Sequence, residues 1–172
     1  MGPQGSGKTT LARIIAEKLG MCVVKTGDLV REKAKEDSET GRSLRYSLET
    51  GDLSDDRVVA NLLKADLNHP KCQNGVVIDG YPRRLSQLNV FDPEFDQVFY
   101  LDVSDQVAIE RMLKRGREDD TPKIIKERLR IFHQETQDVL DYYQKQGILI
   151  KVEGSQGIEK VSGAILAALS KA

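Results

Sequence analysis

Residues Gly2-Pro3-Gln4-Gly5-Ser6-Gly7-Lys8-Thr9 restrict what this chain can fold into more than any other stretch. They fit G-x-x-x-x-G-K-[ST], a pattern with a physical reason behind each fixed position. Glycines let backbone N–H groups turn inward around phosphate oxygens, the lysine supplies a point charge, and the Ser/Thr hydroxyl can ligate Mg²⁺. The loop must then run into a helix, whose N-terminus favours anions. Leu11, Ile14, Ile15 and Leu19 give that helix an apolar stripe, and Gly20 stands where it should stop. Such a loop ordinarily leaves a buried strand, yet only Met1 precedes it here. The sequence therefore predicts a sheet without its first, central strand. That slot would be refilled by residues upstream of Met1 in the natural chain, by a partner's strand, or by closure of the flanking strands onto each other.

The remaining elements alternate. Met21–Lys25 is a short apolar run and predicts a buried strand. A polar region of about residues 26–56 predicts two modest helices, near 28–35 and 38–49, with so little core of its own that it should move easily. Ser54, Asp55 and Asp56 start a helix with Val58, Val59, Leu62, Leu63 and Leu67 inward. Val76–Gly80 reads as a fully buried parallel strand, and Phe95–Val103 as another. A helix over 105–115, a charged loop, and one long helix from Pro122 to Gly147 come next. A last strand at 148–152 and a closing helix lined by Ile158, Val161, Ile165 and Leu169 complete the chain. Strand–helix alternation predicts an α/β fold, a parallel sheet flanked by helices.

At 172 residues this is a single domain. Lys+Arg 26 against Asp+Glu 27 leaves a net charge of −1, so no global charge recruits nucleic acid or an anionic membrane. No apolar run approaches the ~18 residues of a spanning helix, and no signal peptide opens the chain, which predicts a cytoplasmic protein. No extra apolar face is visible, so a monomer is expected. Cys22 and Cys72 lie far apart and lack metal-ligand spacing, which predicts two reduced thiols.

Asp79 ends a buried strand on the ligand side of the sheet. Arg31, Arg83, Arg115, Arg117 and Arg128 all fall at loops or helix starts on that side, where always-charged guanidinium groups suit phosphoryl transfer. Four ordered motifs span nearly the whole chain: Gly-x-x-Gly-x-Gly-Lys, Thr26-Gly27-Asp28-Leu29-x-Arg31, Asp79-Gly80-Tyr81-Pro82-Arg83 and Gly116-Arg117-x-Asp119-Asp120. Together they resemble the adenylate kinases of the nucleoside monophosphate kinase family, P-loop enzymes, in a short-lid form.

The resemblance implies a P-loop NTPase-type core of residues 1–25, 57–114 and 122–172. It also implies a small helical monophosphate-binding insertion at about 26–56 and a lid at about 115–121. Lys8, Arg83, Arg115, Arg117 and Arg128 would be catalytic. Gly5, Ser6, Gly7, Lys8, Thr9, Thr10 and Arg111 would bind ATP, and Thr26, Arg31, Gly80, Arg83 and Gln87 would bind AMP. Thr9 and Asp79 would serve Mg²⁺, and a lid without cysteines implies no zinc. Gln87 offers an acceptor and donors to the adenine edge, and Thr26 agrees with adenine. A pyrimidine (CMP/UMP) monophosphate kinase and a nucleotide-binding module with little turnover are the alternatives.

Overall fold

The computed structural model describes residues 1–170; Lys171 and Ala172, the end of the expected core, lie outside the described residues. Helix α1 (Lys8–Leu19) follows the loop directly and ends at Gly20, whose φ of 65° is the left-handed value that glycine adopts freely. Strand β1 (Cys22–Lys25) leads into α2 (Thr26–Lys33) and α3 (Glu39–Thr50), the latter capped by the Ser38 hydroxyl accepting from the Gly41 N–H. Helix α4 (Asp56–Leu67) is capped by Asp55, which accepts from Arg57 and Val58 N–H. A 3₁₀ turn at Pro70–Cys72 precedes β2 (Val76–Asp79). Helix α5 (Leu85–Val90), β3 (Val98–Asp102) and α6 (Asp105–Arg115) follow, then α7 (Pro122–Ile131) with Pro122 in its first turn. Helix α8 (Gln137–Lys145), β4 (Leu149–Glu153) and α9 (Ile158–Leu169) close the chain.

Two details depart from the sequence reading. The expected long helix is two helices, with a π-helical turn at Phe132–Thr136 between α7 and α8. The six-residue α5 was not anticipated, because it is too short to show a period. The polar insertion has little core of its own: Val30, Ala34 and Leu44 are buried with Val24, Val59, Leu63 and Tyr81. Its few apolar residues share the core of α4 and β1.

The sheet is split. β1 pairs in parallel with β2, and β3 in parallel with β4, but among the described residues no ladder joins β2 to β3. The flanking strands have not closed onto each other. Met1 alone reaches into the gap, donating to the Phe99 carbonyl and accepting from the Leu101 N–H at 2.9 Å. Two expectations fail for this reason. All four residues of β2 are partly exposed rather than fully buried, and Leu19 is 41% exposed rather than inward. The inner face of α1 is instead Leu11, Ala12, Ile15 and Ala16.

The cysteine expectation is also overturned. Cys22 and Cys72 form a disulfide, with 5.1 Å between their Cα atoms across 50 residues of sequence. Cys22 opens β1 opposite Val76, and the 3₁₀ turn that feeds β2 sets Cys72 beside it. Strand pairing, not sequence spacing, brings the sulfurs together. Closing a loop of this length stabilises a fold by about 4 kcal/mol in the chain-entropy description. The prediction is that Cys72→Ala lowers unfolding free energy by about 2–4 kcal/mol in urea melts, and that reductant lowers the parent chain but not the variant. Two titratable thiols in the unreduced native protein would contradict the pairing.

Candidate active site

The phosphate-cradling loop lies beside the gap between β2 and β3. Gly5 and Gly7 adopt φ values of 84° and 95°, and a Cβ on Gly5 would stand 2.3 Å from the Ala108 carbonyl oxygen. That position therefore has to be glycine. Lys8 curls back over the loop, its Nζ donating to the Gly2 and Pro3 carbonyls at 2.7 Å each. Ser6 is buried, whereas Thr10 is exposed at the cleft rim. Thr9 Oγ1 donates to Asp79 Oδ2 at 2.5 Å, which ties the start of α1 to the carboxyl end of β2.

A second group gathers round the 115–121 loop. Asp120, 7% exposed, accepts from Arg115 Nε and Nη2 at 2.8 and 2.7 Å and from Arg128 Nη1 at 3.2 Å. Arg128 also pairs with Asp119. Burial alone would raise the Asp119 carboxyl, yet the Arg128 guanidinium holds it below its usual range. Arg117 lines the cleft and has no ion pair among the described residues. Asp119 and Asp120 stood in the sequence motif without a role; the structure makes Asp120 the anchor that aims two arginines. Their signal was the Asp pair two residues after Arg117.

On the opposite side, Gly80 (φ 95°) turns the chain after β2, and its carbonyl accepts from Arg83 Nε at 3.1 Å. The Arg83 carbonyl is held in turn by Thr136 Oγ1 at 2.9 Å, a use for the π-helical turn that the sequence did not disclose. Gln87 is 2% exposed, and its Oε1 accepts from the Arg83 N–H at 2.7 Å. One acceptor lone pair of Gln87 is thus committed to the protein. Thr26 is buried with its Oγ1 unpartnered. Arg31 is paired with Asp28 at 2.6 Å. Arg111, expected on the ATP side, donates to the carbonyls of Ser6 and Gly154 at 3.4 and 3.1 Å, joining the loop to the β4–α9 turn. All of these predicted site residues except Ser6 line one continuous cleft of about 910 Å³.

The cleft is short of negative charge. Burial pulls the Lys8 amine down to about 8, with Arg83 and Arg115 adding to the effect and Asp79 opposing it. Arg83 is lowered first by burial and then by Arg128 and Arg31; Arg117 is lowered by burial, Arg31 and Arg115. Cations held together out of water make a receptor for a polyanion.

Comparison with known proteins agrees with the residues. The sequence pattern of the family described as adenylate kinase matches residues 1–148. An adenylate kinase of Nocardia farcinica is 35% identical over 178 residues, covering 99% of this chain and 97% of that protein. One of Corynebacterium urealyticum is 36% identical with the same coverage. One of Bifidobacterium longum is 36% identical over 180 residues, covering 98% and 97%.

The state of Lys8 gives a pH test. An anion favours the charged amine, so binding raises its pKa from about 8 towards the ordinary lysine value of 10.5. Well below pH 8 the amine is already protonated and affinity is at its plateau; between the free and bound values, affinity falls and binding takes up a proton. The Kd for inorganic tripolyphosphate should therefore be flat from pH 6.5 to about 7.5 and weaken by up to about tenfold per unit above about 8. In Lys8→Met this limb should vanish. An unchanged Kd up to pH 9.5 in the parent chain would contradict the assignment.

Proposed function

Because the chain belongs to the adenylate kinase family, we propose that it transfers a phosphoryl group reversibly between Mg²⁺-ATP and AMP, yielding two ADP. The observation that carries this reading is one cleft lined both by the phosphate loop and by Arg31, Arg83, Arg115, Arg117 and Arg128. Two anionic substrates could then meet head to head. Transfer would be direct and in line, since the cleft offers charge and position rather than an activated nucleophile.

Lys8 would exchange the Gly2 and Pro3 carbonyls for oxygens of the transferred phosphate. Arg117, with Arg115 and Arg128 braced on Asp120, would meet the charge that develops on the phosphoryl group. Thr9 and Asp79 fit a hard divalent cation: a hydroxyl and a carboxylate 2.5 Å apart, facing the phosphate site. Magnesium bound there supplies neutralisation of the donor phosphates. Among the described residues no group of three or more His, Cys, Asp or Glu gathers, so the phosphates themselves would contribute ligands.

The acceptor would sit against α2 and α5. Arg31 and Arg83 would hold its phosphate, and the unpartnered Thr26 hydroxyl and the free Gln87 NH₂ would meet the base. A purine with an N1 acceptor and an N6–H donor satisfies both ends of Gln87, whose Oε1 keeps one lone pair. Movement of residues 26–56 and 115–121 over the substrates would exclude water and favour transfer over hydrolysis. A monomeric, cytoplasmic enzyme completes the proposal.

Mutants and acceptors test it together. With AMP, CMP, UMP and GMP in a coupled ADP-formation assay, AMP should lead in kcat/KM by at least about a hundredfold. Lys8→Ala should cut kcat by about 10²–10³ while circular dichroism stays unchanged. Arg83→Ala should raise the KM for AMP about 10- to 100-fold and that for ATP far less. If ATP rather than AMP suffered in Arg83→Ala, the two phosphate sites would be exchanged.

A further inference from the structure

A cation at the carboxyl end of β1 has no role in the sequence motifs. Lys25 is the ladder neighbour of Asp79, so it stands at the end of the parallel strands where ligand-binding groups gather, and it lines the cleft. It also holds the N-cap position of α2, and its amine forms an ion pair with Asp28 in the first turn of that helix. Asp28 Oδ1 accepts in turn from Arg31 Nη2 at 2.6 Å. Residues 25, 28 and 31 are three apart, a spacing that sets side chains next to one another on a helix. The two cations take different oxygens of the carboxylate, Lys25 on Oδ2 and Arg31 on Oδ1, so neither has to displace the other.

Asp28 keeps its charge at any working pH. Partial burial would raise its carboxyl, yet hydrogen bonds from Lys25 and Arg31 hold it down at about 2. Arg31 is folded back over the start of α2, where a Cβ on Gly27 would stand 3.3 Å from its Nη2. To meet a phosphate in the cleft, Arg31 has to share or release a carboxylate of the same sign as that phosphate. An anion beside a bound anion weakens its hold unless a cation offsets it. Lys25 supplies the offset, because it stays on Oδ2 when Arg31 leaves Oδ1. The phosphate-loop side has braces of its own: Lys8 rests on the Gly2 and Pro3 carbonyls, and Arg115 on Asp120. A change at Lys25 therefore bears on one end of the cleft.

We propose that Lys25 is a positioning residue for the acceptor: it keeps the Asp28 carboxylate neutralised while Arg31 passes from Asp28 to the phosphate of the nucleoside monophosphate, given that Arg31 serves that phosphate as proposed above. Lys25 acts through Asp28 and not on the substrate, since its amine is already engaged by the carboxylate. It sets how readily Arg31 is released, and so the affinity for the acceptor. The rate once both substrates are bound does not depend on it.

Calorimetric titration of AMP and, separately, of ATP tests this on the parent chain, Lys25→Met, Lys25→Arg, Asp28→Asn and the double variant Lys25→Met/Asp28→Asn. Lys25→Met should weaken AMP about three- to fivefold, the scale of a partly exposed ion pair, and leave ATP unchanged. In the ADP-formation assay the same variant should raise the KM for AMP to match, with kcat at saturating AMP unchanged. Lys25→Arg keeps the charge and should restore most of the affinity. Measured against Asp28→Asn alone, the double variant should show no further loss, because the carboxylate through which Lys25 acts is gone. Equal AMP affinity in Lys25→Met and the parent would overturn the proposal while the acceptor role of Arg31 stands. A full loss persisting in the Asp28→Asn background would overturn it too, since Lys25 would then act on the phosphate itself. Equal losses for AMP and ATP would do the same, as the mark of a disturbed fold. A parent chain that binds ATP but no AMP would overturn both this proposal and the acceptor reading beneath it.

Discussion

Mutual repulsion among cations held in a partly dry cleft is the constraint on which the rest of this structure depends. Lys8, Arg31, Arg83, Arg115, Arg117 and Arg128 line one cavity, and the lowered Lys8, Arg83 and Arg117 each feel at least one of the others. A fold keeps such a set in place only by bracing it. Asp120 does so for Arg115 and Arg128, Asp28 for Arg31, and Asp79 offsets part of the charge on Lys8. Backbone carbonyls brace the remainder: those of Gly2 and Pro3 hold Lys8, and that of Gly80 holds Arg83. These braces orient the donors before substrate arrives, which spares reorganisation at the moment of transfer. A polyphosphate completes the charge balance that the protein leaves open.

The architecture delivers these groups from both half-sheets. β1 and β2 carry Thr26, Asp79, Gly80 and Arg83 at their carboxyl ends, while β3, β4 and the helices after them carry Arg111, Arg115 and the 115–121 loop. The phosphate loop bridges the halves, through Thr9 to Asp79 on one side and through Met1 to β3 on the other. Arg111 adds a third tie, from α6 to the loop and to the turn after β4. Relative placement of the two proposed substrate sites therefore rests on the phosphate loop, on α1 packed between the halves and on the tie from Thr136 to Arg83, rather than on one continuous ladder.

Much of this was legible in the sequence, and the illegible parts share a cause. The phosphate loop, α1, the four strands and the order of motifs follow from local patterns: glycines at fixed spacing, apolar periods and capping residues such as Ser38 and Asp55. What escaped depends on partners distant in the chain. The Cys22–Cys72 bond needs β1 beside the turn before β2. The hold of Thr136 on Arg83 spans 53 residues. Sequence leaves the whole Gln87 amide open to the substrate, but its oxygen already serves the Arg83 amide. Val76–Asp79 has the composition of a fully buried strand and is only partly covered, because composition records an affinity for burial and not whether a neighbour supplies it.

The central claim is that one cleft brings two nucleotide phosphates together and keeps water from the one that moves. Phosphorus NMR of ATP and AMP mixed with the protein and Mg²⁺ follows every phosphate at once. The account predicts that ATP and AMP signals convert to those of ADP, two ADP for each ATP consumed, with no growing signal from inorganic phosphate. Loss of ATP at the same rate without AMP, with inorganic phosphate accumulating, would contradict it.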